Sequence, residues 1–268
     1  MKIMPPDAWQ RRIDRAEDLR HQHSFAAEIL GFYVRIAQFQ RALYRSLESI
    51  SANSSNSAGA FSGPPELPQL LASFPEFLLV IEQHAPERLA EYARHLRGAP
   101  EDTRSTLLND FWSGTTNGDE MNDFPARAFL QPYAEFVRQR SGIQWEGYTH
   151  PICPFCNRKP GLGVLRPLGD GGQRSLICSF CLAEWQFRRI LCAGCGEENH
   201  AKLPVYTAAE LEHVRVECCD TCKSYLKTVD LTKNGLAEPV VDEIATLPLD
   251  LWAQEHGYAK LQPNLLEM

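Results

Sequence analysis

From residue 24 the chain places an apolar side chain at every third or fourth position. Phe25, Ile29, Phe32, Ile36, Phe39, Leu43 and Leu47 fall on one stripe of a helix predicted from about Ser24 to Ile50, and the stripe is expected to face a core. The next stretch, SANSSNSAGAFSGPP at 51–65, is small, polar and rich in Gly and Pro. It cannot bury enough apolar surface to offset its own ordering, so a mobile loop is expected there. A second helical run begins near Leu67, with a break or kink expected at Pro75. Pro86 opens a further helix over ERLAEYARHLRG, which Gly98 ends. EDTRSTLLNDFW (101–112) and FPARAFLQPYAEFVRQR (124–140) supply two more, joined by the loop SGTTNGDE. Arg11 and Arg12 read as a solvated helix face. The upstream part is thus predicted as a bundle of five or six helices. His21, His23, His84 and His95 are scattered along its polar faces and form no catalytic arrangement.

After Trp145 the texture changes to Gly, Pro, Cys and short β-branched or aromatic runs. VLRPLGDGGQRSLIC (164–178) predicts a hairpin around a glycine-rich turn, with Cys178 at the end of its second strand. EWQFRRI (184–190) alternates, with Trp185 and Phe187 on one face. VRVECC (214–219) alternates too, with Val214, Val216 and Cys218 together. Beyond Asp230 a short helical tail is expected, with Leu251 and Trp252 available to pack back.

The 44% apolar content supports a real core in a chain of 268 residues, and the formal charge of -7 argues against broad attraction to nucleic acid or anionic membrane. The start, MKIMPPDAWQRRID, contains no apolar segment of a targeting signal, and the longest apolar run noted, FLLVI at 77–81, is too short to span a bilayer. A cytoplasmic protein without membrane insertion is expected. In that compartment thiols stay reduced, so clustered cysteines read as metal ligands rather than disulfides.

All nine cysteines lie between 153 and 222, and eight form Cys-x-x-Cys pairs: CPFC, CSFC, CAGC and CDTC. Such a loop aims two thiolates at one ion, and it works best when the residue after the second Cys accepts a left-handed backbone. Asn157 and Gly196 suit that position; Leu182 and Lys223 suit it less well. Four thiolates close one tetrahedral site, so four pairs make two. Residues 157–177 and 196–218 leave similar spacers of 21 and 23 residues, each sufficient for a hairpin, whereas only ten residues, 182–191, separate the middle pairs. The spacing favours two sequential sites, Cys153, Cys156, Cys178 and Cys181 in one and Cys192, Cys195, Cys219 and Cys222 in the other. A cross-braced arrangement, first pair with third and second with fourth, stays open. Either zinc or a single iron suits four sulfurs. Cys218 reads as a buried small hydrophobe, and His200 and His213 as bystanders.

The fold class that follows is α+β and multidomain. An α-helical domain over 1–147 precedes two small rubredoxin-like or zinc-ribbon β modules, at 148–190 and 191–235, and a C-terminal helical tail at 236–268 packs back. A nucleic-acid-binding ribbon is disfavoured, because the module region carries no basic stripe with interleaved aromatics. A rubredoxin-like electron carrier is chemically competent, since one iron in four thiolates is a one-electron centre. No flavin or nucleotide signature accompanies it: GLGVLRPLG lacks the frame of a dinucleotide loop. The absence of catalytic groups predicts a protein that is not an enzyme.

The four pairs, with LICSFCLAEWQFRRILCAGCGE, VECCDTCKSYLKTVDL and LPLDLWAQEHGYAKLQPNL, resemble the formate dehydrogenase accessory protein family, FdhE. The resemblance implies a cytoplasmic accessory protein for maturation of molybdenum-containing respiratory formate dehydrogenase, with the catalytic subunit as partner. It also implies a helical N-terminal part and two rubredoxin-like modules holding metal, with iron favoured, and it carries the eight paired cysteines over as ligands. Tyr225 and Trp185 are candidate surface anchors for that client, with simple packing beside the metal sites as the standing alternative for both.

Overall fold

The structure, a computed structural model, describes residues 7–52, 70–115, 120–143 and 145–266. It divides into two compact units, Met1–Gly31 with Ile143–Leu266, and Phe32–Gly142. The loop expected at 51–65 lies almost wholly outside the described residues.

The second unit is helical. Helix α2 (Ala27–Ala52) enters it at Phe32 and is followed by α3 (Phe74–His84), α4 (Glu87–Gly98), α5 (Glu101–Ser113) and α6 (Glu120–Arg140). Most of the predicted stripe is core. Phe32, Ile36, Leu43 and Leu47 are buried, and the half-buried Phe39 ring meets those of Phe77 and Phe129 at 5.1 and 6.4 Å. Phe25 departs from the expectation: it precedes the helix in a 3-10 turn, Ser24–Ala26, and is 52% exposed. Pro75 does not break a helix but occupies the first turn of α3, where its missing N–H would have had no partner anyway. Pro132 sits inside α6 and leaves the Ala128 carbonyl without its helical donor. The buried Gln40 side chain takes that place, its Nε2 donating to the Ala128 oxygen at 2.7 Å.

The first unit is built on a sheet of seven strands: β1 (Pro160–Leu168), β2 (Gly171–Cys178), β3 (Glu184–Gln186), β4 (Val205–Thr207), β5 (Val214–Cys218), β6 (Ser224–Asp230) and β7 (Ala259–Lys260). Their order is β3-β2-β1-β6-β5-β4, with β7 on β6. Two antiparallel three-stranded ribbons, β1–β3 and β4–β6, are recognisable in it. They are fused edge to edge through the parallel pair β1 and β6, in which Gly163 faces Thr228. One face carries a continuous core of Val164, Ile177, Val214, Val216, Tyr225 and Val229, and Cys218 belongs to it as the expected buried hydrophobe.

The tail packs back as α7 (Pro239–Ala245) and α8 (Leu247–Glu255). Leu249 and Ala253 join the sheet core with Trp252 partly buried against it, whereas Leu251 points outward and is 57% exposed. Between tail and sheet lies a buried polar cluster. Lys227 Nζ lies 2.5 Å from Asp250 Oδ2 and 3.1 Å from Thr246 Oγ1, and donates to the Glu243 carbonyl; Lys260 pairs with Glu243 and Asp250. Each charge has an opposite partner, as groups so fully removed from water require.

Helix α1 (Ala8–Gln22), capped by the Asp7 carboxylate on the Gln10 amide, belongs to this sheet unit and not to a helical domain over 1–147. Trp9, Ile13, Ala16 and Leu19 are its buried face, and Arg15 forms a two-point ion pair with Asp242 of α7 at 3.0 and 2.5 Å. The twin arginines also differ from expectation. Arg11 is exposed and meets Glu238, but Arg12 is buried with its guanidinium 4.6 Å over the Trp9 ring. Among the described residues no helix is long and apolar enough to cross a membrane.

Candidate metal centres

Each Cys-x-x-Cys pair sits in the same tight loop. The amide of the first Cys donates to the carbonyl five residues on: Cys153 to Arg158, Cys178 to Ala183, Cys192 to Glu197 and Cys219 to Ser224, all at 2.8–2.9 Å. The residue after the second Cys turns left-handed in all four, with φ of 59° at Asn157, 54° at Leu182, 77° at Gly196 and 56° at Lys223. Asn and Gly adopt this conformation cheaply, but Leu182 and Lys223 take it too, at a cost of about 1–2 kcal/mol each. The loop geometry thus overrides the residue preference at half of the positions. Backbone amides reach back to the sulfurs: those of Phe155 and Cys156 to Cys153 Sγ, of Phe180 to Cys178 Sγ and of Gly194 to Cys192 Sγ, at 3.3–3.5 Å.

The sheet brings the loops together in sequence. Cys153, Cys156, Cys178 and Cys181 form one group and Cys192, Cys195, Cys219 and Cys222 another, with all sulfurs of a group within 4.8 Å of one another. The cross-braced arrangement is not formed. Sγ–Sγ distances are 3.5 Å for Cys153–Cys181, 3.3 Å for Cys156–Cys178, and 3.7 Å for both Cys192–Cys222 and Cys195–Cys219. A tetrahedral ion bound at the usual metal–sulfur length sets its ligands roughly 3.8 Å apart, so these spacings suit a four-thiolate site and far exceed a disulfide bond. None of the nine cysteines is in a disulfide.

The two clusters differ in their surroundings. In the first, Cys153, Cys178 and Cys181 are buried, Phe180 and Ala183 are buried beside them, and the Arg158 guanidinium stacks 4.1 Å over Phe180. Burial pushes the Cys178 and Cys181 thiols well above the usual thiol range. Four adjacent thiolates there need a cation to neutralise them. In the second cluster Cys195 and Cys222 are exposed, while Cys192 and Cys219 are buried. Burial pushes Cys195 up to about 12. At Cys222 burial acts in the same direction, but the hydroxyl and amide of Ser224 and the neighbouring thiols outweigh it and bring the group down to about 7. Either cluster could hold a metal ion, and their all-sulfur donor sets suit iron or zinc.

The candidate surface anchors are not at the surface. Trp185 is 2% exposed, and its indole N–H donates to the His150 carbonyl at 2.9 Å. Tyr225 is 1% exposed, with its hydroxyl donating to Asp250 at 2.7 Å. Both rings are large apolar bodies whose one polar atom finds an internal acceptor, which makes them core residues. His213 is held by Asp242 at 2.7 Å, and His200 starts an exposed 3-10 turn; neither belongs to a sulfur cluster. Sequence reasoning missed Ser224, whose Oγ lies 3.0 Å from Cys222 Sγ. Its position two residues after a Cys-x-x-Cys pair was the available signal.

A sheet of two fused ribbons, each closed by four cysteines, places the molecule among zinc-ribbon-like paired-cysteine proteins. The chain belongs to the FdhE family: residues 152–189 match the model of "FdhE, central domain" and residues 190–266 that of "FdhE, C-terminal domain". It is similar to the protein FdhE homolog of Aquifex aeolicus, at 27% identity over 99% of this chain and 98% of the relative. It is also similar to that of Pseudomonas aeruginosa, at 32% identity over 75% of this chain and 66% of the relative. The fold is that of the crystal structure of the FdhE protein from Pseudomonas aeruginosa, with a TM-score of 0.71 at 24% identity over 99% of this chain and 98% of that chain.

Proposed function

We propose that this chain is a cytoplasmic accessory protein for maturation of respiratory formate dehydrogenase, engaging the immature catalytic subunit, and that its eight paired cysteines hold two metal ions. The observation that carries the reading is the pair of four-sulfur clusters on one sheet in a chain of the FdhE family. Four thiolates fill a tetrahedral shell and leave no position for substrate or water, so the chemistry of the donor set supports a non-catalytic role. Iron is the ion that the family resemblance favours, and in four thiolates it would supply a one-electron centre. Within that frame the chain's own residues hold the ions and donate N–H hydrogen bonds to their sulfurs, while the sheet gives the clusters a fixed relative placement.

The test is genetic and biochemical together. Deleting the gene in the native host is expected to abolish formate dehydrogenase activity, with restoration by the wild-type chain but not by a Cys192→Ser/Cys195→Ser variant. The catalytic subunit should co-purify with the wild-type chain, and metal analysis should find two ions per chain. Undiminished formate dehydrogenase activity in the deletion strain would overturn the accessory reading.

A further inference from the structure

The two clusters are built alike, from Cys-x-x-Cys loops closed by the same hydrogen bond. Both are made by a loop, two strands and a second loop, yet their walls are unlike. Three of the first cluster's four cysteines are buried, and the residue two places beyond its second loop is Ala183, fully buried. At the same place the second cluster has Ser224, with its hydroxyl 3.0 Å from Cys222 Sγ. The second cluster also exposes one sulfur residue from each of its loops, Cys195 and Cys222. The residues two places after the first loops differ in charge. Arg158 lies over Phe180 in the first ribbon, whereas Glu197 in the second accepts from the Thr221 hydroxyl at 2.5 Å.

We propose that the second cluster is an exchange site, which passes its ion to and from external chelating ligands through the Cys195–Cys222 face, while the first cluster retains its ion as a structural centre. Ligand substitution at a closed four-thiolate site must begin with an incoming donor reaching the ion or a sulfur, so access sets the rate. An incoming sulfur or nitrogen donor can approach between the exposed Cys195 and Cys222, whereas at the first cluster three cysteines are buried and Cys156 alone is half-exposed. Ser224 is the positioning residue of this exchange. A hydroxyl hydrogen bond withdraws electron density from the Cys222 thiolate and weakens its bond to the ion. The exchange balances without redox chemistry. The ion leaves with its charge unchanged, each broken sulfur–metal bond is replaced by one to the acceptor, and the released thiolates take up protons from water.

The full chain loaded with zinc and mixed with excess 4-(2-pyridylazo)resorcinol tests this directly. One zinc per chain is expected to transfer at least about tenfold faster than the other, as differential thiolate access predicts. Timed N-ethylmaleimide labelling of the same wild-type protein, read by peptide mapping, should modify Cys195 and Cys222 before Cys153, Cys156, Cys178 and Cys181. Ser224→Ala should slow the fast phase and leave the slow one unchanged. Transfer of both ions at one rate, first labelling within the first cluster, or a Ser224→Ala variant with both phases unaltered would each overturn the assignment or its Ser224 part. The inference rests on both clusters being metal sites. A chain that takes up no zinc would remove that premise as well, whereas two ions leaving together would remove this inference alone.

Discussion

Asp242 is the carboxylate on which three separate stretches of the chain converge. It accepts from Arg15 of α1, from His213 before β5 and from the Glu238 amide, and it is 1% exposed. Burial disfavours its charge, but the His213 and Arg15 hydrogen bonds outweigh this and hold its pKa below the usual carboxylate range. Asp242→Ala should therefore destabilise the protein by about 3 kcal/mol, since it strands Arg15 in a site with little water. Denaturant unfolding at neutral pH would measure it. Because the folded pKa is depressed, the stabilisation is complete above the ordinary carboxylate pKa and disappears as pH falls through the lowered value. The gap between wild type and variant should thus close in acid; a gap that widens there would contradict the assignment. None of this was legible in the sequence, where Asp242 is one of two adjacent acidic residues in the short, largely apolar stretch PVVDEIA. The same holds for Tyr225 and Trp185, whose burial depends on strands and helices distant in the chain.

At the scale of the element, the Cys-x-x-Cys loop was readable because its demands are local. Spacing places the sulfurs and one left-handed residue closes the turn. Gly196 has φ of 77° and open space around a would-be Cβ, so Gly196→Ala isolates the backbone cost and should destabilise the zinc-loaded protein by about 1–2 kcal/mol. Gly98→Ala, also in open space but outside the left-handed region, should not destabilise. Equal losses at both positions, measured by thermal or denaturant unfolding, would show that the loop conformation is not what matters. Leu182 and Lys223 explain why residue preference alone was an incomplete guide. Hydrogen bonds closing the loops and four converging sulfurs fix the turn more firmly than the side chain opposes it. Pro75 carries the complementary lesson, because a proline reads as a break or as a first turn according to where the preceding chain begins its helix.

For the molecule as a whole, the joint between ribbons matters most. Gly163 of β1 lies so close to β6 that an added Cβ would stand 2.3 Å from Thr228 Oγ1. Gly163→Ala should therefore lower stability by about 1–3 kcal/mol through overpacking, and Thr228→Ala in the same chain should recover much of it. Denaturant unfolding of the two single variants and the double variant would measure the coupling; purely additive losses would deny the contact. The predicted separate ribbons are in fact one sheet. Their fusion had no signal in periodicity, because a parallel pair between β1 and β6 joins positions more than sixty residues apart. Nor did the helical pattern of α1 say which layer it would join; its ion pair to Asp242 is a property of the assembled unit.

By itself the sequence determined what short-range geometry controls: the helical stripes, the hairpin before Cys178, and four sulfur-bearing loops, whose pairing in order it favoured and only the structure decided. Tertiary structure decided the rest. It fused the ribbons, drew α1 and the tail onto the sheet, buried Tyr225 and Trp185, and left Cys195 and Cys222 in solvent. The division follows from range. Backbone turns and periodic faces are set by neighbours a few residues away, whereas exposure and charge pairing depend on which distant surfaces meet.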